Sequence, residues 1–296
     1  MPLYNIFDAS RITRAITGPG TLRMDPWRRT RNIINREYGG MWYGSSHASP
    51  KDRDPSDSRP INLMYQFVRT YLPNLVGPVT KVKVKPRSMG MAHSATMREL
   101  MINEMLREMR FSRTWRSVVQ DALTCGLGIA RTGIRSGGGQ IKVNGEMFDM
   151  GQPYVVRVDL DDFVRDPDSR DPLEDRWRAF RYRVRRSDLV NLGIYDEDMV
   201  MGLPDLDQGG TETKGESHEM QGGHHQGESL DSIVELWDVL YYENDKVLEG
   251  TLAGESNQWL VEPHEYEGRQ GQPLTLLSLL EMPNNAMPVA PAAQLL

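Results

Sequence analysis

The feature that most constrains this chain is a change of hydrophobic period part-way along it. Up to about Gly128 the apolar residues recur at three- and four-residue steps, whereas beyond Ser136 they alternate or come in short runs cut by Gly, Asp and Pro. The first spacing gathers side chains on one face of a helix and the second on one face of a strand, so one element cannot satisfy both. Helices grouped early and strands grouped late define the expected fold class, α+β, with a helical N-terminal part followed by short-strand β-rich segments. At 296 residues, 39% of them hydrophobic, the chain is long enough to bury a sizeable core, and the length suggests roughly two domains. Four segments follow from composition: a basic arm and linker over 1–60, an α+β body over 61–200, a flexible loop rich in Gly, Glu and His over 201–230, and a β-rich acidic segment over 231–296.

The arm carries Trp27, Tyr38, Trp42 and Tyr43 interleaved with Arg28, Arg29, Arg31 and Arg36. Two readings stand: a helix from Asp25 to Tyr38 anchored by its aromatics, or an arm that meets phosphate or a partner. Little core is expected in this segment. A helical face of Met64, Phe67, Val68, Tyr71, Leu72 and Leu75 follows, with Pro60 suited to its first turn and Pro73 predicting a kink or an end near Leu72. The alternation Lys81, Val82, Lys83, Val84, Lys85 predicts a half-buried or edge strand, with Arg87 just beyond it. Ser94 is the expected cap of a longer helix striped by Met97, Leu100, Met101, Leu106 and Met109, with Met105 one step off. A second helix gathers Trp115, Val118, Val119, Ala122 and Leu123 before Gly126 and Gly128 end it, and IARTGIRS reads as a strand. Asn144-Gly145 signals a hairpin turn. Strands are expected in YVVRVDLDDFVRD and RWRAFRYRVRR, then a short helix capped by Ser187, and finally two strands about the turn at Glu243 to Asp245.

Charge is sharply segregated. Residues 1–135 hold 22 Lys and Arg against 10 Asp and Glu, residues 136–186 hold 10 of each, and residues 187–296 hold 3 against 21, giving the net −6. Either the solvated faces simply differ in sign, or the opposite ends meet each other, different partners, or neighbouring copies of the chain. No stretch reaches the roughly 18 apolar residues of a membrane-spanning helix, and MPLYNIFDASRITR lacks the apolar run of a signal peptide. The expectation is no membrane role, in the cytosol or in a particle assembled there. The single cysteine, Cys125, cannot form an internal disulfide.

Several residue groups have the right chemistry for a site. Asp159, Asp161, Asp162, Asp166 and Asp168 could hold Mg²⁺ for phosphoryl transfer, although Asp beside Pro and Ser is also turn chemistry and no Walker-type loop accompanies it. His218, Glu219, His224 and His225 could converge on a transition metal, but their glycine-rich surroundings read as a solvated loop. Gly126, Gly128 and Gly133 follow a helix and precede a strand, the reverse of a dinucleotide loop, and so suit a tight reversal. Cys125 has no nearby histidine in sequence and reads as a small buried residue. Lys81, Lys83 and Lys85 on one face could meet successive phosphates, or equally protect a sheet edge. Met97, Met101, Met105, Met109 and Trp115 read as core or as a face for packing between subunits.

The succession INLMYQFVRTYLPNLVG, KVKVKP, a long helix, a second helix and DALTCGLGIARTGI resembles the N-terminal part of tailed-bacteriophage portal proteins. YVVRVDLDDFVRDPDSRDPLEDRWRAFRYRVRRSDL resembles their wing segment, while SIVELWDVLYY and QPLTLLSLLEMPNN resemble the β-rich part that precedes the channel-lining stem. The likeness covers roughly residues 25–290; the stem and crown helices of longer portals are not evident. The resemblance implies a portal-like wing and a non-enzymatic structural subunit without cofactor or metal, in a homo-oligomeric ring, by family custom a dodecamer, at the capsid vertex of a virion. Its implied partners are other copies of itself, double-stranded DNA held nonspecifically, the terminase motor, major capsid or scaffold protein, and a head-tail adaptor. Lys81, Lys83, Lys85, Arg87, Arg28, Arg29 and Arg31 are the candidates for DNA or subunit contact. The alternatives are a metal-dependent nuclease using Asp159 to Asp168 and a capsid or adaptor protein without a channel.

Overall fold

The structure is a computed structural model that describes residues 8–38, 62–77, 81–135, 140–143, 146–149, 151–171, 174–193, 195–204, 232–243, 246–254, 257–266, 273–281 and 288–295. The fold is α+β: helices dominate the first part and every paired strand is antiparallel. No helix among the described residues is long and apolar enough to cross a membrane. The chain divides into two compact units that do not follow the consecutive segments read from composition. One takes residues 1–24, 162–169 and 173–267, and the other takes 25–161, 170–172 and 268–296.

In the first unit, helix α1 (Ala9–Ala15) is capped by Asp8, which accepts a hydrogen bond from the Ser10 N–H at 3.2 Å. A π-helical turn over Ile16–Gly20 follows. A Cβ on Gly20 would lie 2.6 Å from Val164 Cγ1, so only glycine permits this approach. The expectation of little core before residue 60 fails here, because Ala9, Ile12 and Ile16 are buried against Val164, Ala179, Trp237, Val239, Tyr241 and Leu252. Ser10-Arg11 and Thr13-Arg14-Ala15 separate these apolar positions, so the stripe shows in the spacing and not in the composition of the segment.

Their partner is a five-stranded sheet in the order β5-β6-β7-β8-β9. Its strands are β5 (Phe163–Arg165), β6 (Trp177–Arg185), β7 (Ile233–Glu243), β8 (Lys246–Leu252) and β9 (Trp259–Glu265). Strand β7 is buried on both faces. Trp237, Val239 and Tyr241 join the α1 cluster, while Val234 and Leu236 join Leu189, Val200 and Leu203 from helices α6 (Arg186–Leu192) and α7 (Glu197–Met201). Helix α6 begins with Arg185 as its cap, so Ser187 lies inside the helix rather than at its start.

Helix α2 (Thr21–Tyr38) begins before the expected Asp25, and from Asp25 on it belongs to the second unit. Trp27 donates its indole N–H to the Pro288 carbonyl at 3.1 Å, and Ile34 packs with Met64, Ala290 and Ala292. Helix α3 (Leu63–Val76) is capped by Asn62, not opened by Pro60. Pro73 lies within it without ending it, and the stop comes at Gly77, whose φ is +69°. Met64, Val68 and Leu72 are buried, but Tyr71 and Leu75 of the expected face are exposed. Helix α4 (Ala92–Glu108) opens from a 3-10 turn at Met89–Met91 instead of a Ser94 cap.

Helix α5 (Phe111–Cys125) buries Val118, Val119, Ala122 and Leu123, as its spacing requires. It reverses into strand β1 (Leu127–Arg135), which lies centrally in the sheet β10-β1-β4 beside β4 (Gln152–Val158) and β10 (Leu274–Ser278). The reversal depends on two glycines. Gly126 has φ +86°, and a Cβ on Gly128 would lie 2.1 Å from the Val118 carbonyl oxygen. Gly128 therefore belongs to the strand and not to the helix stop. Strands β2 (Gln140–Val143) and β3 (Glu146–Asp149) pair as the expected hairpin, whose Asn144-Gly145 turn lies outside the described residues.

Candidate interaction surface

Residues 81–86 join no strand, which corrects the expected β-strand. Side chains of α4 occupy the place of a neighbouring strand. The Val82 N–H donates to Asn103 Oδ1 at 2.9 Å, Asn103 Nδ2 donates back to the Val82 carbonyl at 3.0 Å, and the Val84 N–H donates to Glu99 Oε2 at 3.1 Å. Satisfying the backbone through side chains keeps the period-two alternation without a sheet. Val82 and Val84 are half-buried, while Lys81, Lys83, Lys85 and Arg87 are exposed.

The apolar stripe of α4 splits along its length. Met105, Leu106 and Met109 are half-buried, whereas Met97 is 49% exposed, Leu100 62% and Met101 69%. Residues 97, 100 and 101 share one helical face by their spacing. This face is the candidate contact surface of the helix. Trp115 is engaged within the chain, packing against Val68, Leu72, Val119 and Leu123 with its ring stacked 6.0 Å from that of Phe111.

The arginines of α2 are placed differently. Arg31 binds Asp159 at 3.0 Å and Asp161 at 2.6 Å, and Arg28 reaches the Asp161 carbonyl at 3.1 Å. Burial opposes the charge of Arg31, but the hydrogen bond and charge of Asp161 outweigh it and hold the guanidinium above its usual pKa. Of the three, only Arg29 is exposed.

The aspartates are thereby distributed among arginines and turns. Arg157 bridges Asp159, at 3.1 Å, and Asp121. Burial raises the pKa of Asp121 even though Arg157 opposes the shift. In the first unit, Asp162 binds Arg181 at 2.9 Å, and Asp166 accepts the Asp168 N–H at 3.0 Å in a turn. Among the described residues no group of three His, Cys, Asp or Glu is arranged to hold a metal ion. His218, Glu219, His224 and His225 lie outside the described residues. Cys125 is buried, and that burial pushes its thiol up to about 11.

Sequence reasoning missed Asn103 and Glu99, which fix the lysine segment. Their signal was present: two polar residues four apart on the helix edge next to an alternating segment. No protein-family model matches the chain, and no curated protein matches it.

Proposed function

We propose that this chain is a non-enzymatic structural subunit of a portal-type ring, the channel at a phage capsid vertex through which DNA is packaged and ejected. The observation that carries the reading is the solvent-facing row Met97, Leu100 and Met101 on α4, the helix whose Glu99 and Asn103 hold the segment that bears Lys81, Lys83 and Lys85. An apolar helix face turned to solvent suits burial against another protein surface. The order of elements supports the same reading: helix, lysine-bearing segment, long helix, second helix, glycine reversal and strand.

In this reading the partners are other copies of the chain, the terminase motor, capsid or scaffold protein and a head-tail adaptor, within the virion. DNA contact is nonspecific, and it has to be weak, because a channel lined by many neutralised phosphates would hold its cargo. Native mass spectrometry of the protein from its natural source, paired with electron micrographs, tests the proposal. A ring of about a dozen copies with a central hole is expected. A monomer or dimer at micromolar concentration overturns it, and a closed oligomer without a hole favours a capsid or adaptor protein instead.

A further inference from the structure

A cleft of about 530 Å³ opens along the seam between α3 and α5 in the second unit. Tyr65, Arg69 and Pro73 line it from α3 at four-residue steps, and Arg116 and Gln120 line it from α5 at the same step, so each helix lends the cleft one face. Val68 and Leu72 form an aliphatic floor, where they pack with Val119 and Leu123. Tyr38, at the end of α2, completes the lining, and Asn62 ties it to α3. The Asn62 amide donates to the Tyr38 carbonyl at 3.0 Å, and its side-chain oxygen accepts the Tyr65 N–H at 2.7 Å. Both arginines are exposed, and among the described residues neither has a carboxylate partner. Helix α3 contains no Asp or Glu, and the single acid of α5, Asp121, pairs with Arg157.

We propose that this cleft binds an acidic peptide segment of a partner protein, whose carboxylates pair with Arg69 and Arg116 while an aliphatic side chain covers Val68 and Leu72. The proposal goes beyond the ring reading and stands without it. A guanidinium fork matches both oxygens of a carboxylate, and an exposed arginine with no partner of its own keeps that capacity for a ligand. Two features favour a peptide over a nucleic-acid strand. The Tyr38 and Tyr65 rings lie against each other, with centroids 5.7 Å apart and planes 37° from parallel, so no slot for a base remains between them. The floor is aliphatic, where platforms for single strands are aromatic. In addition, Pro73 has no N–H, so the Arg69 carbonyl lacks its usual helical donor beside the cleft. A peptide backbone has an N–H to supply there and a phosphodiester backbone has none. Gln120 adds a donor and an acceptor for the same backbone. The volume suits a few side chains of an extended segment and not a folded surface.

The test is fluorescence anisotropy of the full chain with fluorescein-labelled peptides in which one, two or three leucines separate a pair of aspartates within a glycine–serine frame. The same peptides with lysine in place of aspartate, and a labelled oligothymidylate, run beside them. At least one aspartate peptide is expected to bind saturably at micromolar concentration, and the lysine peptides are not. Arg69→Glu and Arg116→Glu are each expected to weaken that binding about tenfold or more. Lys83→Glu, outside the cleft, is expected to change it by less than about twofold. The proposal is overturned by an absence of saturable binding for every aspartate peptide, by an equal loss in Lys83→Glu and the arginine variants, or by tighter binding of the oligothymidylate that the same arginine variants abolish. Should a reversed chain lose its helical circular dichroism, Arg69→Gln with Arg116→Gln decides in its place: undiminished peptide binding by that variant overturns the site. Anisotropy reads a monomer and a ring alike, so a chain that stays monomeric yet binds the peptide overturns the ring reading and leaves the cleft in place.

Discussion

The most exacting residues lie in the interior of the first unit. Asp175 has no exposed side chain and receives Arg165 at 2.6 Å and Arg178 at 2.9 Å, both nearly buried. Replacing Asp175 with Ala removes their shared carboxylate, and urea unfolding is expected to show a loss of about 3 kcal/mol or more. Backbone conformation gives a prediction of opposite sign. Arg110, between α4 and α5, is held at φ 52°, a left-handed conformation that costs an L residue about 1 kcal/mol. Arg110→Gly is expected to raise stability by about 1 kcal/mol, whereas Gly126→Ala, at φ +86° with the Pro288 carbonyl oxygen 2.7 Å from the new Cβ, is expected to lower it by about 2 kcal/mol or more. Cys125 adds a chemical check. With its thiol near 11 instead of the ordinary 9.0, the thiolate at pH 8 is about a hundredfold scarcer than in the unfolded chain. Iodoacetamide is expected to label the native protein at least about a hundredfold more slowly than the denatured one.

At the scale of elements, the segment 81–86 shows what a sequence pattern can and cannot specify. Alternating Lys and Val announces one face in and one face out, and Val82 and Val84 do turn inward. The pattern does not say what satisfies the backbone, and here Asn103 and Glu99 of a helix do so. Asn103→Leu is expected to free the Val82 amide, seen as faster hydrogen exchange across 81–85 with no change in the global unfolding free energy beyond about 1 kcal/mol. Helix interiors were legible from spacing, as Val118, Val119, Ala122 and Leu123 show, because a single buried stripe fixes a period of 3.6. Their starts were not. Ser94 and Ser187 both fall inside helices, since a 3-10 turn and the end of a strand lead straight into α4 and α6. The candidate surface was half legible. The methionine stripe was visible, but only tertiary packing decides that Met105 and Met109 turn inward while Met97 and Met101 do not.

At the scale of the whole molecule, the fold class followed from the change of period, but the partition into units did not, because it depends on which distant segments meet. Strand β1 takes as one of its partners β10, roughly 140 residues further on, and Trp27 and Ile34 wait for Pro288, Ala290 and Ala292. Chains truncated after Glu267 are therefore expected to lose protease resistance in α2, α3 and α5, which limited proteolysis of truncated and complete chains will show. Translation gives this arrangement a clock. At about 5 to 20 residues per second, β1 stays open on one edge for about 7 to 30 seconds after it is made. An open edge is a template for misassociation, so the interval is one that holding chaperones would have to cover. The same delay separates complete from truncated copies: one that stops before β10 never closes that edge of β1 and is expected to stay open to proteolysis.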